Sequence, residues 1–144
     1  MTDADIALSE MDRQLAVIRD LLARKRALAA AAEADVEALA RLRWEVTRAL
    51  LAYQRYKHLR LFDPAIASGD PGRAAQGREL KLRCIAAGEL FRAYAARWAP
   101  SGVGDRWAEY RTAAEAMIAD LEARLDRERD DAERLVAPRL GRAA

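Results

Sequence analysis

The stretch AAAAEAD, residues 29–35, decides how this chain folds. It lies in the middle of a first block, residues 1–63, that contains neither glycine nor proline. In this block the three-and-four spacing of one helix face continues from Met11 to Tyr53, and its register passes through the alanines. A helix that runs through AAAAEAD would be about 55–60 residues long, or roughly 85 Å, whereas a bend there would give two helices.

The composition of the chain around this stretch predicts helices. Hydrophobic residues make up 52% of the 144 residues, largely because alanine is abundant, and 33% are charged, against seven glycines and four prolines. This balance is typical of long-helix and coiled-coil proteins. We therefore expect an all-α fold without strands, and the length fits a single domain with its own core.

Glycine and proline divide the chain into three helical blocks. They gather in PAIASGDPG (64–72) and APSGVG (99–104), and both segments predict loops. The predicted helices cover residues 4–62, 71–98 and 105–136. We expect residues 138–144 to be a disordered tail, so the predicted domain covers residues 1–137.

Each block begins with a helix-start signal. Thr2 and Asp5 fit a capping box, in which each side chain binds the backbone N–H of the other residue. Asp70 precedes Pro71, which pairs a capping residue with a proline at the first helical position. Asp105 provides a carboxylate that can cap the third helix.

The unequal lengths of the three helices predict an uncovered apolar stripe. The second and third helices are about half as long as the first, and the loop after residue 62 places them against residues 40–62. We therefore expect residues 40–137 to form a three-helix bundle and residues 1–39 to project as a coiled-coil arm. The stripe left without a partner consists of Leu8, Met11, Leu15, Ile18 and Leu22. Because an exposed stripe of this kind is unfavourable, we predict that it is the oligomer interface of a homodimer.

A bend at residues 29–35 would remove the difference in helix lengths in another way. It would give four segments of about 26–32 residues, the proportions of a four-helix bundle, formed within one chain or between two chains that exchange N-terminal halves. The turn chemistry favours the continuous helix, because AAAAEAD lacks glycine, proline and asparagine, and alanine is the best helix former. We therefore predict the continuous helix, with the bent helix as the alternative.

The net charge of +2 conceals a basic middle of the chain. Residues 1–40 have five bases and eight acids, residues 41–98 have twelve bases and five acids, and residues 99–144 have eight bases and ten acids. The basic residues around the first loop should form one corner that could receive an anion or an acidic partner protein. The residues predicted to bind there are Arg48, Arg55, Lys57, His58, Arg60 and Arg78.

The chain lacks the residues that most enzymes need for acid–base or nucleophilic chemistry. His58 is the only histidine, Cys84 is the only cysteine, and no phosphate loop or Glu-x-x-His pair occurs. We therefore predict no catalytic residue, no metal site and no cofactor. The acidic N-terminus is unlike a secretory signal, and no run of about 18 apolar residues exists, so we expect a cytoplasmic protein without a membrane segment.

His58 has two interpretations. Near the predicted helix end, a positive charge on His58 would oppose the helix dipole, as Lys57 and Arg60 would. A histidine on a helical bundle also resembles phosphotransfer proteins and the dimerisation domains of sensor kinases. Their motifs, such as His-x-x-Lys-Gly, are not matched here, because Arg60 and Pro64 follow at the second and sixth positions.

These observations predict a non-enzymatic interaction or adaptor protein that recognises its partners through helix faces. The basic corner supports an alternative, a nucleic-acid- or nucleotide-associated regulator, although no nucleic-acid-binding signature accompanies it. A histidine phosphotransfer protein that uses His58 is the third interpretation.

Overall fold

The computed structural model describes residues 1–138, and over this range the chain is all-helical, without strands. Its helices, in chain order, are α1 (Asp3–Ala29), α2 (Val36–Lys57), α3 (Asp63–Ile66), α4 (Pro71–Arg97), α5 (Pro100–Val103) and α6 (Trp107–Val136). A π-helical turn, His58–Phe62, joins α2 to α3, and a 3-10 turn, Gly104–Arg106, leads into α6. The predicted all-α fold class is thus confirmed. Of the predicted disordered tail, residues 138–144, all but Pro138 lies outside the described residues.

The first block bends at AAAAEAD, as in the alternative prediction. α1 ends at Ala29 and α2 begins at Val36, so residues 30–35 form a turn. The prediction of one continuous helix over residues 4–62 is therefore wrong. Because alanine favours helix at most positions of this stretch, the cause of the bend lies in tertiary contacts.

Side chains from both neighbouring helices hold the turn. Asp35 caps α2 by accepting a hydrogen bond at 3.0 Å from a backbone N–H in its first turn. From α6, Arg111 Nε donates to the carbonyl of Ala29 at 2.8 Å, and Trp107 Nε1 donates to the carbonyl of Ala31 at 3.2 Å. These contacts satisfy backbone groups that a helix end otherwise leaves unpaired, so the turn needs neither glycine nor proline.

α1 packs antiparallel to both α2 and α6. The hydroxyl of Tyr56, in the last turn of α2, donates to the carbonyl of Ala7 in the first turns of α1. Three ion pairs with N–O distances of 2.6–2.7 Å link α1 to α6: Asp12–Arg129, Arg19–Asp126 and Arg26–Glu122. Exposed pairs of this kind contribute at most about 1 kcal/mol each, so they favour the register of the helices more than their stability.

The apolar stripe of α1 is buried inside this chain. The side chains predicted as an oligomer interface are Leu8, which is half-buried, and Met11, Leu15, Ile18 and Leu22, which are buried. They belong to a core that includes Tyr53 of α2 and Ile118 and Leu125 of α6. The prediction is corrected accordingly: because α1 folds back on α2, its stripe faces the core of its own chain. α1 is therefore part of a four-helix bundle rather than a separate arm, and the argument for a homodimer through this stripe does not hold.

The helix that contains α2 does not end at residue 62. It continues through the π-helical turn into α3, and the N–H of Asp63 donates to the carbonyl of His58, five residues earlier. Pro64 has no N–H, and in a regular helix its ring would clash with the carbonyl four residues before it. The wider turn accommodates the proline without ending the helix. His58 thus begins a π-helical turn, whereas the sequence placed it in the last turn of the helix.

Two of the three predicted helix starts have the predicted cap. Thr2 and Asp5 form the capping box of α1, and the Asp70 side chain accepts hydrogen bonds from backbone N–H groups at the start of α4. α6 begins at Trp107 without a side-chain cap. The prediction that Asp105 caps this helix is therefore wrong, because Asp105 lies within the 3-10 turn Gly104–Arg106, and Arg106 stands at the cap position.

α4 joins the bundle through its N-terminal half. Gly77 packs so closely on the preceding segment that a Cβ there would lie 3.1 Å from the Cβ of Ala65 and from the carbonyl oxygen of Phe62. Leu80 and Cys84 continue this buried face. Beyond them Ala87, Phe91 and Tyr94, which continue the same face, are only half-buried, so the C-terminal half of α4 packs less closely on the bundle.

Replacement of the cap at the bend tests this account of the turn. Asp35→Ala should lower the free energy of unfolding by about 1 kcal/mol, because it leaves a backbone N–H of α2 without its acceptor. The control is Glu33→Ala, an exposed acid in the same turn, which should change the free energy of unfolding by less than about 0.5 kcal/mol. Urea unfolding followed by circular dichroism measures both variants, and equal effects would contradict the capped turn.

Candidate functional site

The predicted basic corner does not form one surface. Its exposed members are Arg48, Arg55, Arg60 and Arg78. Lys57 is only 4% exposed, and His58 is half-buried. Successive helical residues are rotated by about 100°, so Lys57 points about 160° away from Arg55 and into the core. Arg48 lies elsewhere, beside Leu21 of α1. The six residues therefore do not act together as one anion-binding corner.

Lys57 forms a buried ion pair with α6. Its Nζ lies 2.7 Å from Oε1 of Glu128, and the Tyr53 hydroxyl donates to the same oxygen at 2.7 Å. The ammonium group also lies 4.2 Å from the centroid of the Tyr53 ring. With its charge compensated inside the bundle, Lys57 is not available to a partner, and its prediction as a binding residue is corrected.

The imidazole of His58 is poorly accessible for phosphorylation. Its Nε2 atom is shielded from solvent and has no hydrogen-bond partner within residues 1–138, and its ring packs edge-on against Phe62 at 5.4 Å. Burial, followed by the charges of Lys81 and Lys57, lowers the pKa of His58, while Asp63 opposes the shift. The imidazole is therefore neutral at physiological pH.

A groove between α2 and α4 is the best candidate for a binding site. It has a volume of about 420 Å³ and follows the C-terminal half of α4, with α6 as its floor. Its apolar lining includes Leu50, Leu51, Ala87, Phe91, Leu121 and Leu125. The space exists because α4 carries small residues here, such as Ala87 and Ala95, which do not fill the distance to α2.

Open space also borders the other side of α4. A cleft of about 430 Å³ lies between α4 and α6 and extends to Leu90. Both the groove and the cleft reach Cys84 and the Lys57–Glu128 ion pair. The C-terminal half of α4 is thus bordered by clefts on two sides.

α4 also carries apolar side chains on its outer face. Leu82, Ile85 and Leu90 are exposed, although other residues of the same helix form part of the core. On α2, Trp44 and Leu51 are exposed too, and their spacing of seven residues places them on one face. Clusters of exposed apolar side chains mark interaction sites.

The walls of the groove are basic. α2 has five bases and two acids, and α4 has six bases and two acids. Arg43, Arg92 and Arg124 line the groove, and none of the three is ion-paired with another residue of the described range. The groove therefore combines an apolar floor with uncompensated positive charge.

The groove has little capacity for covalent chemistry. Cys84 is buried, and burial raises the pKa of its thiol, an effect that the nearby ammonium group of Lys57 opposes. A thiol with a raised pKa is a poor nucleophile at neutral pH. Within residues 1–138, no group of three or more His, Cys, Asp or Glu side chains is placed to hold a metal ion. Over the same range, no helix has the length and apolar character needed to cross a membrane.

A second buried cation, Lys25, lies in α1 near the end of α4. Its Nζ donates to the Tyr110 hydroxyl at 2.9 Å and lies 5.4 Å and 5.2 Å from the ring centroids of Tyr94 and Tyr110. Burial, followed by the charge of Arg43, lowers the pKa of Lys25 to about 8. The sequence analysis did not identify this site, although a signal was present, since Lys25 occupies a position in the apolar stripe of α1.

Comparison of the chain with protein-family profiles, with characterised proteins and with solved structures found no match.

Removal of one partner tests the buried ion pair. Glu128→Ala should lower the free energy of unfolding by about 3 kcal/mol, because it leaves the Lys57 ammonium group buried without a counter-ion. The double variant Lys57→Met/Glu128→Leu should regain most of this loss, since apolar side chains of similar size can replace a buried pair.

The control for this experiment is Glu79→Ala, which breaks the exposed ion pair between Glu79 and Arg83, 2.6 Å apart. This variant should lose at most about 1 kcal/mol. Urea unfolding measures all three variants, and equal losses for Glu128→Ala and Glu79→Ala would contradict the buried position of the first pair.

Lys25→Met should stabilise the protein at neutral pH. The folded state protonates Lys25 with a pKa of about 8, so below this pH it must bury an ammonium group near Arg43. The gain should be about 1–3 kcal/mol, because one pKa unit corresponds to about 1.4 kcal/mol.

The gain should shrink as the pH rises from 8 to 9.5. Over this range folded wild-type protein releases the Lys25 proton while the unfolded chain retains it, so the stability of the wild type increases. Tyr94 and Tyr110 also face the site, and burial raises the pKa of both, so they remain protonated in the folded state. Urea unfolding at low salt between pH 7 and 9.5 measures the difference, and a gain that is independent of pH would contradict this account.

Proposed function

We propose that this chain is a non-enzymatic interaction protein of the cytoplasm that binds an acidic amphipathic helix of a partner protein in the groove between α2 and α4. One observation carries the proposal: the groove between α2 and α4 has an apolar lining that no side chain of the described chain fills. The sequence prediction assigned partner binding to α1, and the burial of that stripe moves the candidate surface to α4.

The shape of the groove suits a helix. Residues of α4 from Cys84 to Ala96 line it, a rise of about 18 Å, which corresponds to about three helical turns. Its floor of leucine, alanine and phenylalanine side chains can receive apolar residues spaced by three and four positions. Leu51 and Phe91 stand on opposite walls and would contact such residues from both sides.

The charge of the walls favours an acidic partner. Arg43, Arg92 and Arg124 could each pair with a carboxylate of the bound helix, since they have no acidic partner among the described residues of this chain. A second copy of the chain is less suitable, because it would place the basic walls of two molecules against each other. The homodimer expected from the sequence therefore gains no support from this surface.

The unpaired arginines also keep the nucleic-acid alternative open. A phosphate backbone would bind to them with a steep dependence on salt concentration. It would make little use of the apolar floor, so substitutions there distinguish the two candidates. The phosphotransfer interpretation has less support, since Nε2 of His58 is shielded.

Selection from a displayed library of helical peptides, with the full chain as target, tests the proposal. Selected sequences should have apolar residues at three-and-four spacing and an excess of Asp and Glu on the remaining positions. Fluorescence anisotropy then measures the binding of a selected peptide to wild type and variants. Leu51→Glu should weaken binding at least about tenfold, because it places a like charge in the path of the peptide and removes apolar burial.

The matched control is Leu59→Glu. Leu59 is 58% exposed and Leu51 is 56% exposed, but Leu59 does not line the groove, so its replacement should leave the affinity unchanged. Equal effects of the two variants, or selected peptides that are basic, would contradict the proposal. Salt-sensitive binding of a DNA duplex that Leu51→Glu does not change would favour the nucleic-acid alternative.

A further inference from the structure

The solvent-facing side of α2 alternates basic and large apolar residues. Its members, all exposed, are in chain order Arg41, Trp44, Arg48, Leu51, Arg55 and, in the π-helical turn that follows, Leu59. At about 100° per residue, the five members within α2 fall in a sector of about 80°. The buried residues Val46 and Tyr53 point to the opposite side of the helix. This set, the outer stripe of α2, is therefore the part of the helix that projects farthest from the core.

The apolar members of the outer stripe are evenly spaced. Trp44 is 63% exposed, Leu51 is 56% exposed and Leu59 is 58% exposed. Intervals of seven and eight residues place them about 10–12 Å apart along the helix. Leu51 also borders the groove, whereas Trp44 and Leu59 line neither the groove nor the cleft between α4 and α6. These two side chains thus project from a convex surface, where a partner helix would find no groove.

The positive charge of the outer stripe is not compensated within residues 1–138. None of Arg41, Arg48 and Arg55 has a carboxylate within 4.0 Å among these residues. On the same side of α2 lies one acid, Glu37, in the first turn, while Glu45 is paired with a base of α1. Three positive charges against one negative charge favour an anionic partner.

An anionic bilayer would use both features of the outer stripe. A flat surface can contact a convex ridge along its whole length, which is about 27 Å from Arg41 to Leu59. Tryptophan favours the headgroup level of a bilayer, leucine favours the boundary with the acyl chains, and arginine can bury its apolar stem while its charge meets lipid phosphates. We infer that the outer stripe of α2 binds the surface of a membrane that contains anionic phospholipids.

A nucleic acid would use only part of the outer stripe. Its phosphates would bind the arginines, and a base could stack on Trp44. Neither contact would engage Leu51 or Leu59, which would remain exposed to water. The apolar members therefore favour the bilayer over the nucleic acid.

The contact inferred here is peripheral. A helix that lies on a bilayer needs no segment long enough to span it. The stripe is a second surface, and its binding to lipid does not depend on the partner proposed for the groove. Leu51 borders both surfaces, so the tests below use other members of the stripe.

Flotation of the full chain with lipid vesicles tests the inference. Vesicles made of equal parts of phosphatidylglycerol and phosphatidylcholine should bind the wild type, whereas vesicles of phosphatidylcholine alone should not. Leu59→Ser should weaken binding to the mixed vesicles at least about fivefold, because it removes apolar burial. Arg55→Gln should weaken it about fivefold, because it removes one charge that faces the anionic surface.

The matched controls are Leu90→Ser and Arg127→Gln. Leu90 is 67% exposed and Arg127 is exposed without an ion pair in the described range, but both line the cleft between α4 and α6. Their replacement should leave vesicle binding unchanged. Absence of binding to the mixed vesicles, or equal effects of Leu59→Ser and Leu90→Ser, would overturn the inference.

Tryptophan fluorescence tests the contact directly. Of the three tryptophans, Trp44 is exposed, Trp107 is half-buried and Trp98 is buried. Mixed vesicles with bromine-labelled acyl chains should quench the emission of the wild type, and this quenching should be absent in Trp44→Phe. Equal quenching in both proteins would overturn the inference. An RNA strand whose binding Arg55→Gln weakens and Leu59→Ser leaves unchanged, without binding to vesicles, would favour the nucleic-acid alternative.

Discussion

The return of α1 onto α2 at residues 29–35 is the constraint on which the rest of the structure depends. The turn is possible because α6 supplies Arg111 and Trp107 to the carbonyl groups that α1 leaves unpaired at its end. With α1 antiparallel to α2 and α6, the apolar stripes of three helices face each other and form one continuous core. The remaining long helix, α4, packs on a core that these three helices already fill.

The incomplete coverage of α4 follows from this arrangement. Its N-terminal half is held at Gly77, where the absence of a side chain allows close approach to the segment that precedes the loop. Farther along, Ala87 and Ala95 are too small to fill the space next to α2 and α6, and a groove remains. The apolar side chains that line this groove stay without a partner in the described chain, which is the physical basis of the proposed interaction surface.

The two buried lysines differ in whether a carboxylate compensates their charge. Lys57 has Glu128 as a counter-ion and the Tyr53 ring and hydroxyl close by, so its charge is compensated by protein groups. Lys25 has aromatic rings and a hydroxyl but no carboxylate nearby, and its pKa falls to about 8. The first lysine thus contributes a structural pair, whereas the second creates an unbalanced site.

Local sequence signals determined the helical class, the capping box of Thr2 and Asp5, and the start of α4 after Asp70. The segments predicted as loops, residues 64–72 and 99–104, instead contain the short helices α3 and α5. The correctly predicted features depend on neighbours within a few positions, and a single sequence displays such neighbours directly. The surroundings of Glu128 could not be inferred in the same way, because its charged neighbours are typical of a solvated helix and its partner Lys57 lies 71 residues away.

Tertiary structure alone decided the bend and, with it, the location of the candidate site. Helix propensity favours the alanines of residues 29–35 by at most about 1 kcal/mol per residue. Folding back buries Met11, Leu15, Ile18 and Leu22, each worth about 1.5–3 kcal/mol, and allows α6 to satisfy the exposed carbonyl groups. Together these distant contacts outweigh the local preference of the alanines for a continuous helix. As a result, the apolar surface without a partner lies beside α4 and not on α1.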